Sequence, residues 1–167
     1  MKRSGVLVLL VGLWLGAALP AGAKDKEEEK IDAVVTAVIE AYRKGDYATM
    51  GRSYAPEVTV VAGDFTPPVV GWATVEERYR AQHANLGAVE LSRENTRIER
   101  RGKIVWVIYQ WRFAGILTGT PVAALGHTTL ILEKRGGRWI IVHNHTSAIP
   151  APPPAPTPTE PAKPPAR

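Results

Sequence analysis

Residues 127–147, HTTLILEKRGGRWIIVHNHTS, decide the fold: two apolar runs flank a charged turn at Gly136-Gly137, and polar side chains return only at the far ends. Runs of this kind about a glycine pair read as a β-hairpin, here one that lines something. Working outward, strands are expected over 90–100, 103–114, 124–134 and 139–148. They form a meander with tight turns at Gly102 and Gly136-Gly137 and a longer loop over 115–121.

Successive strand residues face opposite sides, so parity separates the two faces of the sheet. The even residues of 103–114 run Ile104, Trp106, Ile108, Gln110, Arg112, apolar and then polar, and the last strand repeats the order in Ile140, Val142, Asn144, Thr146. The strand between runs the other way and reverses it: Thr128, Leu130, Leu132. A three-residue turn over 135–137, with Gly137 left-handed in a bulge, sets Thr128 beside Asn144 and Leu130 beside Val142. The even face is therefore expected to be a pocket, apolar at its floor and polar at its mouth. The odd residues Val105, Val107, Tyr109, Trp111 and Phe113 make an apolar row. With the helices on the other side, its expected cover is a second copy of the chain, packed sheet against sheet.

Upstream, Asp25 with Glu28 reads as a capping box, and Ile31, Val34, Val35, Val38, Ile39 and Tyr42 recur at helical spacing. Glu27 to Glu29 at the start and Arg43 and Lys44 at the end suit the helix dipole, and Gly45 supplies a left-handed stop. Asp46 caps a short helix carrying Tyr47, Met50 and Tyr54 inward. It stops before Pro56, and 58–61 reads as a short strand. Pro67-Pro68 and Gly71 make 64–72 a loop, and Thr74 with Glu77 forms a second capping box opening a helix to about Leu86. Helices followed by a meander of long strands predict an α+β domain, a cone-shaped, curved antiparallel sheet wrapped round the N-terminal helices.

The flanks are of a different kind. Lys2 and Arg3 precede an apolar run ended by Pro20, and Ala21-Gly22-Ala23 offers a small-x-small site, so residues 1–23 read as a signal peptide cleaved after Ala23. The run falls short of the roughly 20 residues a membrane span needs. The chain has no cysteine, which excludes both a disulfide framework and a lipid-modified anchor. The expected location is the periplasm or the medium, with no membrane association after processing. Losing Lys2 and Arg3 takes two from the formal charge of +5, and the remaining charges alternate along the chain, which gives no ground for nucleic-acid binding. Residues 150–167 are proline-rich with little to pack and read as a disordered tail, so 24–149 remain as one domain.

With these elements in place the chain resembles the SnoaL-like branch of the nuclear transport factor 2-like superfamily. The resemblance is carried by YRKGD (Tyr42 to Asp46), Gly71-Trp72, YQWRF (Tyr109 to Phe113) and GRWIIVHNHTS (Gly137 to Ser147). The last is similar to the end of the association domain of calcium/calmodulin-dependent protein kinase II. It implies a cone-shaped α+β domain that commonly dimerises through its sheet, and a scaffold that hosts isomerases, cyclases, hydrolases and binders alike. Aligned through the Gly-Asp turn, the positions of the ketosteroid isomerase base and tyrosine hold Ala62 and Val38, which cannot do that work. The kinase hub's pocket arginines fall on Gln110, Leu130 and Thr146, and the acid that cyclases and epoxide hydrolases of this fold project from the sheet has no counterpart on the even face.

The candidate ligand-binding residues are then Gln110, Arg112, Thr128, Leu130, Asn144 and Thr146 on the sheet, with Trp72 and Tyr79 walling the opening. Arg112 is expected to hold a carboxylate or phosphate unless it pairs with a structural acid such as Glu76 or Glu77. Asp64 and His83 are the candidates for acid–base work. His127, His143 and His145 have a spacing that could chelate a metal, but their odd parity, shared with Trp111 and Trp139, favours interface histidines, so neither a metal nor another cofactor is expected. The function expected is capture of a small, mostly apolar molecule with a polar or anionic end. The alternatives are an isomerase, cyclase or hydrolase using Asp64 or His83, and a dimeric protein-interaction module.

Overall fold

The computed structural model describes residues 25–63 and 66–151. In chain order the elements are α1 (Lys26–Lys44), α2 (Tyr47–Gly51), β1 (Tyr54–Val61), β2 (Val69–Val70), α3 (Trp72–His83), β3 (Leu86–Arg101), β4 (Ile104–Leu117), β5 (Thr120–Arg135) and β6 (Arg138–Ala151). The six strands form one curved, unclosed sheet in the order β2-β1-β6-β5-β4-β3. All neighbours are antiparallel except β1 and β6, which run parallel. The α+β cone expected from the sequence is the fold observed. The signal-peptide reading of 1–23, Asp64 and all but the first two residues of the proline-rich tail lie outside the described residues; Pro150 and Ala151 belong to β6.

The first helix forms over its apolar repeat, but Glu28 does not reach back to the Asp25 N–H and the expected capping box does not close. Asp25 accepts from the backbone N–H of Glu27, the last turn carries Arg43 and Lys44, and Gly45 ends the helix at φ +65°. Its buried stripe of Ile31, Val35, Val38 and Ile39 packs with Val105, Val107, Leu130, Leu132 and Ile141 of the sheet in one core. Glu27 ties the helix start to the last hairpin, accepting from Lys134 Nζ at 2.6 Å and from Trp139 Nε1 at 3.2 Å. The ammonium groups of Lys134 and Lys30 hold its carboxyl down at about 2. The second helix is capped by Asp46, which accepts from the Thr49 N–H at 3.0 Å.

Several boundaries differ from the expectation. The third helix starts at Trp72, with Gly71 in the cap position at φ +92° and no side-chain cap, so the Thr74–Glu77 box does not form. Tyr54 opens β1 instead of closing α2, and Pro56 is tolerated because it falls where the β1–β6 pairing shifts register and no ladder bond is forfeited.

The largest difference is the segment read as a loop over 115–121. Strands β4 and β5 run through it in unbroken register to Leu117↔Thr120, leaving a two-residue turn at Thr118-Gly119 with φ of +49° and +82°. Positive φ at both central residues matches the twist of the strands they join. The last hairpin likewise closes on two residues, Gly136 and Gly137 at φ +55° and +82°, pairing Arg135 with Arg138. The three-residue turn with a bulge at Gly137 is thereby corrected. The extra residue lies further along, between Ile131↔His143 and Leu132↔Ile141, and leaves Val142 unpaired.

These counts decide the faces. A two-residue turn pairs odd residues of β4 with even residues of β5: Val105 with Leu132, Val107 with Leu130, Tyr109 with Thr128. Val105 and Val107 are fully buried against the helices, whereas Ile104 and Ile108 on the other face are each 38% exposed. The odd row of β4 is therefore core, and no second copy is needed to cover it. On β6 the unpaired Val142 switches parity, so Ile141 and Asn144 both face inward with Leu132 and Leu130.

Candidate functional site

The helix-facing side of the sheet carries a polar network set among aromatic rings. Thr128 and Thr146, paired across β5 and β6, join hydroxyls at 2.9 Å; Thr146 donates to Asn144 Oδ1 at 3.1 Å, and Asn144 Nδ2 donates to the Tyr54 hydroxyl at 3.2 Å. Tyr109, beside Thr128, extends the chain by a side-chain hydrogen bond to it. Thr128 is 3% and Asn144 6% exposed, while Thr146 at the edge of the network is half-buried. A buried network of this kind is stable only because each member finds a partner.

All five tyrosines of the chain gather about it. Tyr79 on α3 meets Tyr42 edge to face at 5.6 Å, lies parallel to Tyr47 at 6.3 Å, and interacts electrostatically with Tyr54 and Tyr109. Burial, reinforced by the neighbouring phenols, raises Tyr54 and Tyr79 far above the usual phenol range and pushes Tyr42 up to about 12. The hydroxyls are thus neutral donors at any physiological pH. Trp72 stacks on Tyr54 at 4.9 Å and lies flat against Gly51, where a Cβ would meet its Cε2 at 2.8 Å. It is a wedge between α2 and β1 rather than a rim residue.

Two groups on this side stand out because they are buried and unpaired. The indole N–H of Trp111 and both ring nitrogens of His83 have no hydrogen-bond partner. Trp111 packs over Gly126, where a Cβ would come within 2.7 Å of the ring and collide with the Ser147 carbonyl, so only glycine lets strand and indole approach this closely. His83 sits between Tyr42 at 4.9 Å and Tyr47 at 5.7 Å, and burial lowers its pKa. It is neutral and can act as donor or acceptor but not as both at one nitrogen. Trp111 was legible as an aromatic in an apolar row, but an orphaned indole N–H has no signature in sequence.

Of the candidate site residues, Trp72, Tyr79, Thr128, Leu130, Asn144 and Thr146 come together on the inner side. Gln110 and Arg112 do not, because the register of β4 turns them outward. Arg112 donates to Glu94 at 3.0 Å, a structural acid on β3 rather than Glu76 or Glu77, and Gln110 contacts Asn95 and His127. The one arginine turned inward there, Arg93, is taken up by Asp32 at 2.9 Å and Thr36 at 2.8 Å. Around the threonine–asparagine network the inner side therefore has hydrogen-bonding capacity and no free cation among the described residues. An open groove of about 540 Å³, lined by Arg43, Glu90, Leu91, Phe113 and Ala151 among others, lies where the strand ends meet the end of α1, and Arg112 is the one sequence-predicted ligand-site residue in its lining.

His127, His143 and His145 lie together on the outer face, as the parity of β5 and of β6 beyond Val142 requires, but Trp111 and Trp139 are on the inner one. Burial, with the neighbouring His145, lowers the pKa of His143. Among the described residues no three metal-ligating side chains converge.

Comparison with known proteins agrees with this architecture. No curated protein matches the chain. Among solved structures, a ketosteroid isomerase-like protein from Erwinia carotovora superposes with a TM-score of 0.67 at 19% identity, covering 77% of this chain and 99% of that one. A nuclear transport factor 2-like superfamily protein from Salmonella enterica serovar Typhimurium gives 0.66 at 18% identity, over 72% and 89%. A protein from Kribbella flavida gives 0.69 at 11%, over 74% and 93%. At such identities the likeness concerns the fold alone. The family model for the SnoaL-like domain matches residues 31–152, from the buried stripe of α1 to the end of β6, and the chain belongs to that family.

Proposed function

We propose that the domain captures a small, mostly apolar molecule on the helix-facing side of its sheet. The polar end would be met by Trp111 and by the Thr128, Asn144 and Thr146 network, with Leu130 and Tyr79 as walls. The observation that carries this reading is the Trp111 indole N–H, buried without an acceptor. Such a donor costs about 1–3 kcal/mol, which a ligand's carbonyl or ether oxygen would recover. A neutral polar end suits the site better than an anionic one, because Arg112 is turned outward to Glu94 and Arg93 is committed to Asp32.

The test is extraction and mass spectrometry of whatever accompanies the protein from its native compartment. Leu130→Trp, which fills the interior, is expected to abolish co-purification, and Trp111→Phe to weaken it. Retention of the same molecule at parental stoichiometry in the Leu130→Trp variant would refute the reading.

His83 supports a second reading, an isomerase, cyclase or hydrolase in which this imidazole moves the proton, with Asp64 as the other candidate. What favours it is that both ring nitrogens are unused and burial holds the ring neutral. Activity would then fall as pH drops through the lowered pKa of His83 and vanish in His83→Gln.

We further propose that the chain is exported by residues 1–23 and pairs with a second copy across the outer sheet face. Ile104, Trp106, Ile108 and Ile131 make that face partly apolar, and the flanking Arg97–Glu99 and Arg112–Glu94 pairs offer both signs of charge to a two-fold partner. Light scattering that gives a monomer at high micromolar concentration would contradict the pairing.

A further inference from the structure

A second cleft, of about 320 Å³, lies at the other end of the long strands from the groove, where the β5–β6 turn meets α1 and the start of β1. Lys30, Arg52 and Arg138 line it together with Ser53, and Val34 and Trp139 give it an apolar floor. No carboxylate is among its lining residues.

Two arginines without a carboxylate partner meet at this cleft. Seven described arginines, at 43, 80, 93, 97, 100, 112 and 135, are each paired with a carboxylate within 4.0 Å. Arg52, Arg78, Arg101 and Arg138 have no such partner among the described residues, and of these four Arg52 and Arg138 line this cleft. Arg52 acts on Asp46 only through space, and that carboxylate caps α2 through the Thr49 N–H. Lys30 reaches Glu27 at 2.6 Å but shares it with Lys134, at the same distance. Three cations therefore face one cleft with at most a shared single negative charge to offset them. A dianion fits this excess where a carboxylate would leave a cation unmet. The guanidinium forks of two arginines match the oxygens of a phosphate, and the apolar floor gives an attached organic body a place that water and inorganic ions do not use. The volume is at the lower end for small-molecule sites, about 300–1,000 Å³.

We propose that this cleft binds a small, soluble organic phosphate, its phosphomonoester dianion held by Arg52, Arg138 and Lys30 and its apolar body resting on Val34 and Trp139. The inference is independent of the ligand proposed for the cone. The two sites have separate reporters, the Trp139 indole for the cleft and the Trp111 indole for the interior.

Phenyl phosphate is the probe, followed by the indole N–H resonances in a nitrogen-15 correlation spectrum at physiological salt. The Trp139 resonance is expected to move saturably while that of Trp111 stays. Inorganic phosphate and benzyl alcohol, each lacking half of the recognition, are expected to bind at least about tenfold more weakly, as is the Arg52→Gln/Arg138→Gln protein. Both arginines are exposed, so the double variant should keep the parental thermal midpoint; the two single variants, each weaker than the parent, secure the result if it does not. Movement of Trp111 alone, equal binding of inorganic phosphate, or undiminished binding by the double variant would each overturn the proposal. So would sedimentation with phosphatidic acid vesicles by a protein that ignores phenyl phosphate, which would make the cleft a membrane contact.

Discussion

The β4–β5 and β5–β6 hairpins share a strand and close on the same kind of two-residue turn, yet they distribute their side chains differently. Along β4–β5 the register holds without interruption from Ile104↔Glu133 to Leu117↔Thr120, so odd residues of one strand face the same way as even residues of the other throughout. Along β5–β6 one unpaired residue, Val142, changes the parity halfway, and Asn144 and Thr146 join Thr128 and Leu130 on the inner side. The comparison teaches that the face a side chain takes is set by the running count of turn and bulge residues. A shared apolar-to-polar gradient along three strands does not fix it, because one residue of slip exchanges the faces entirely.

The sharpest way to break this comparison is to place a charge on each face of β4. Val107→Asp buries a carboxylate in the core and is expected to cost more than about 4 kcal/mol, whereas Ile108→Asp, one residue on and partly exposed, should cost less than about 1 kcal/mol in urea titrations. Equal losses would mean that the faces are wrongly assigned. A smaller contrast separates the residues that the sequence gradient grouped together. Asn144→Ala, which leaves Tyr54 and Thr146 short of a partner, is expected to lose about 1–3 kcal/mol. Arg112→Gln removes an exposed ion pair and should change stability by less than about 0.5 kcal/mol. The smallest effect tests the turns themselves. Gly119→Ala and Gly137→Ala each force a side chain onto φ +82° and should each cost about 1–2 kcal/mol. Markedly unequal costs would show that one hairpin does not close on two residues.

The elements and their order were legible because their signals are local. The capping aspartates at 25 and 46, the 3–4 spacing from Ile31 to Tyr42, the stop at Gly45 and the glycines at the hairpin turns act within a few residues of where they stand. Six of the eight ligand-site candidates also fall on the inner side. Gln110 and Arg112 do not, and the reason is specific. Thr118-Gly119 was read as part of a loop because Gly115 and Pro121 flank it, while both in fact lie in strands, paired with Val122 and Ile116. The capping box at Thr74 failed for a related reason: Trp72 is held by Gly51 and Tyr54, and that packing starts the helix three residues sooner than its polar signal.

By itself the sequence determined the α+β order, the amphipathic helix that fills the cone and the glycine turns, all consequences of short-range periodicity and backbone preference, and its motifs carried the resemblance to the SnoaL-like family. Only the tertiary structure decided which face of the sheet is inside, that all five tyrosines meet around Tyr79, that the Trp111 N–H and the His83 nitrogens are buried without partners, and that Arg52 and Arg138 share a cleft with no acid. Each of these depends on a register summed over many residues or on contacts between segments far apart in the chain, and neither quantity is carried by any local run of amino acids.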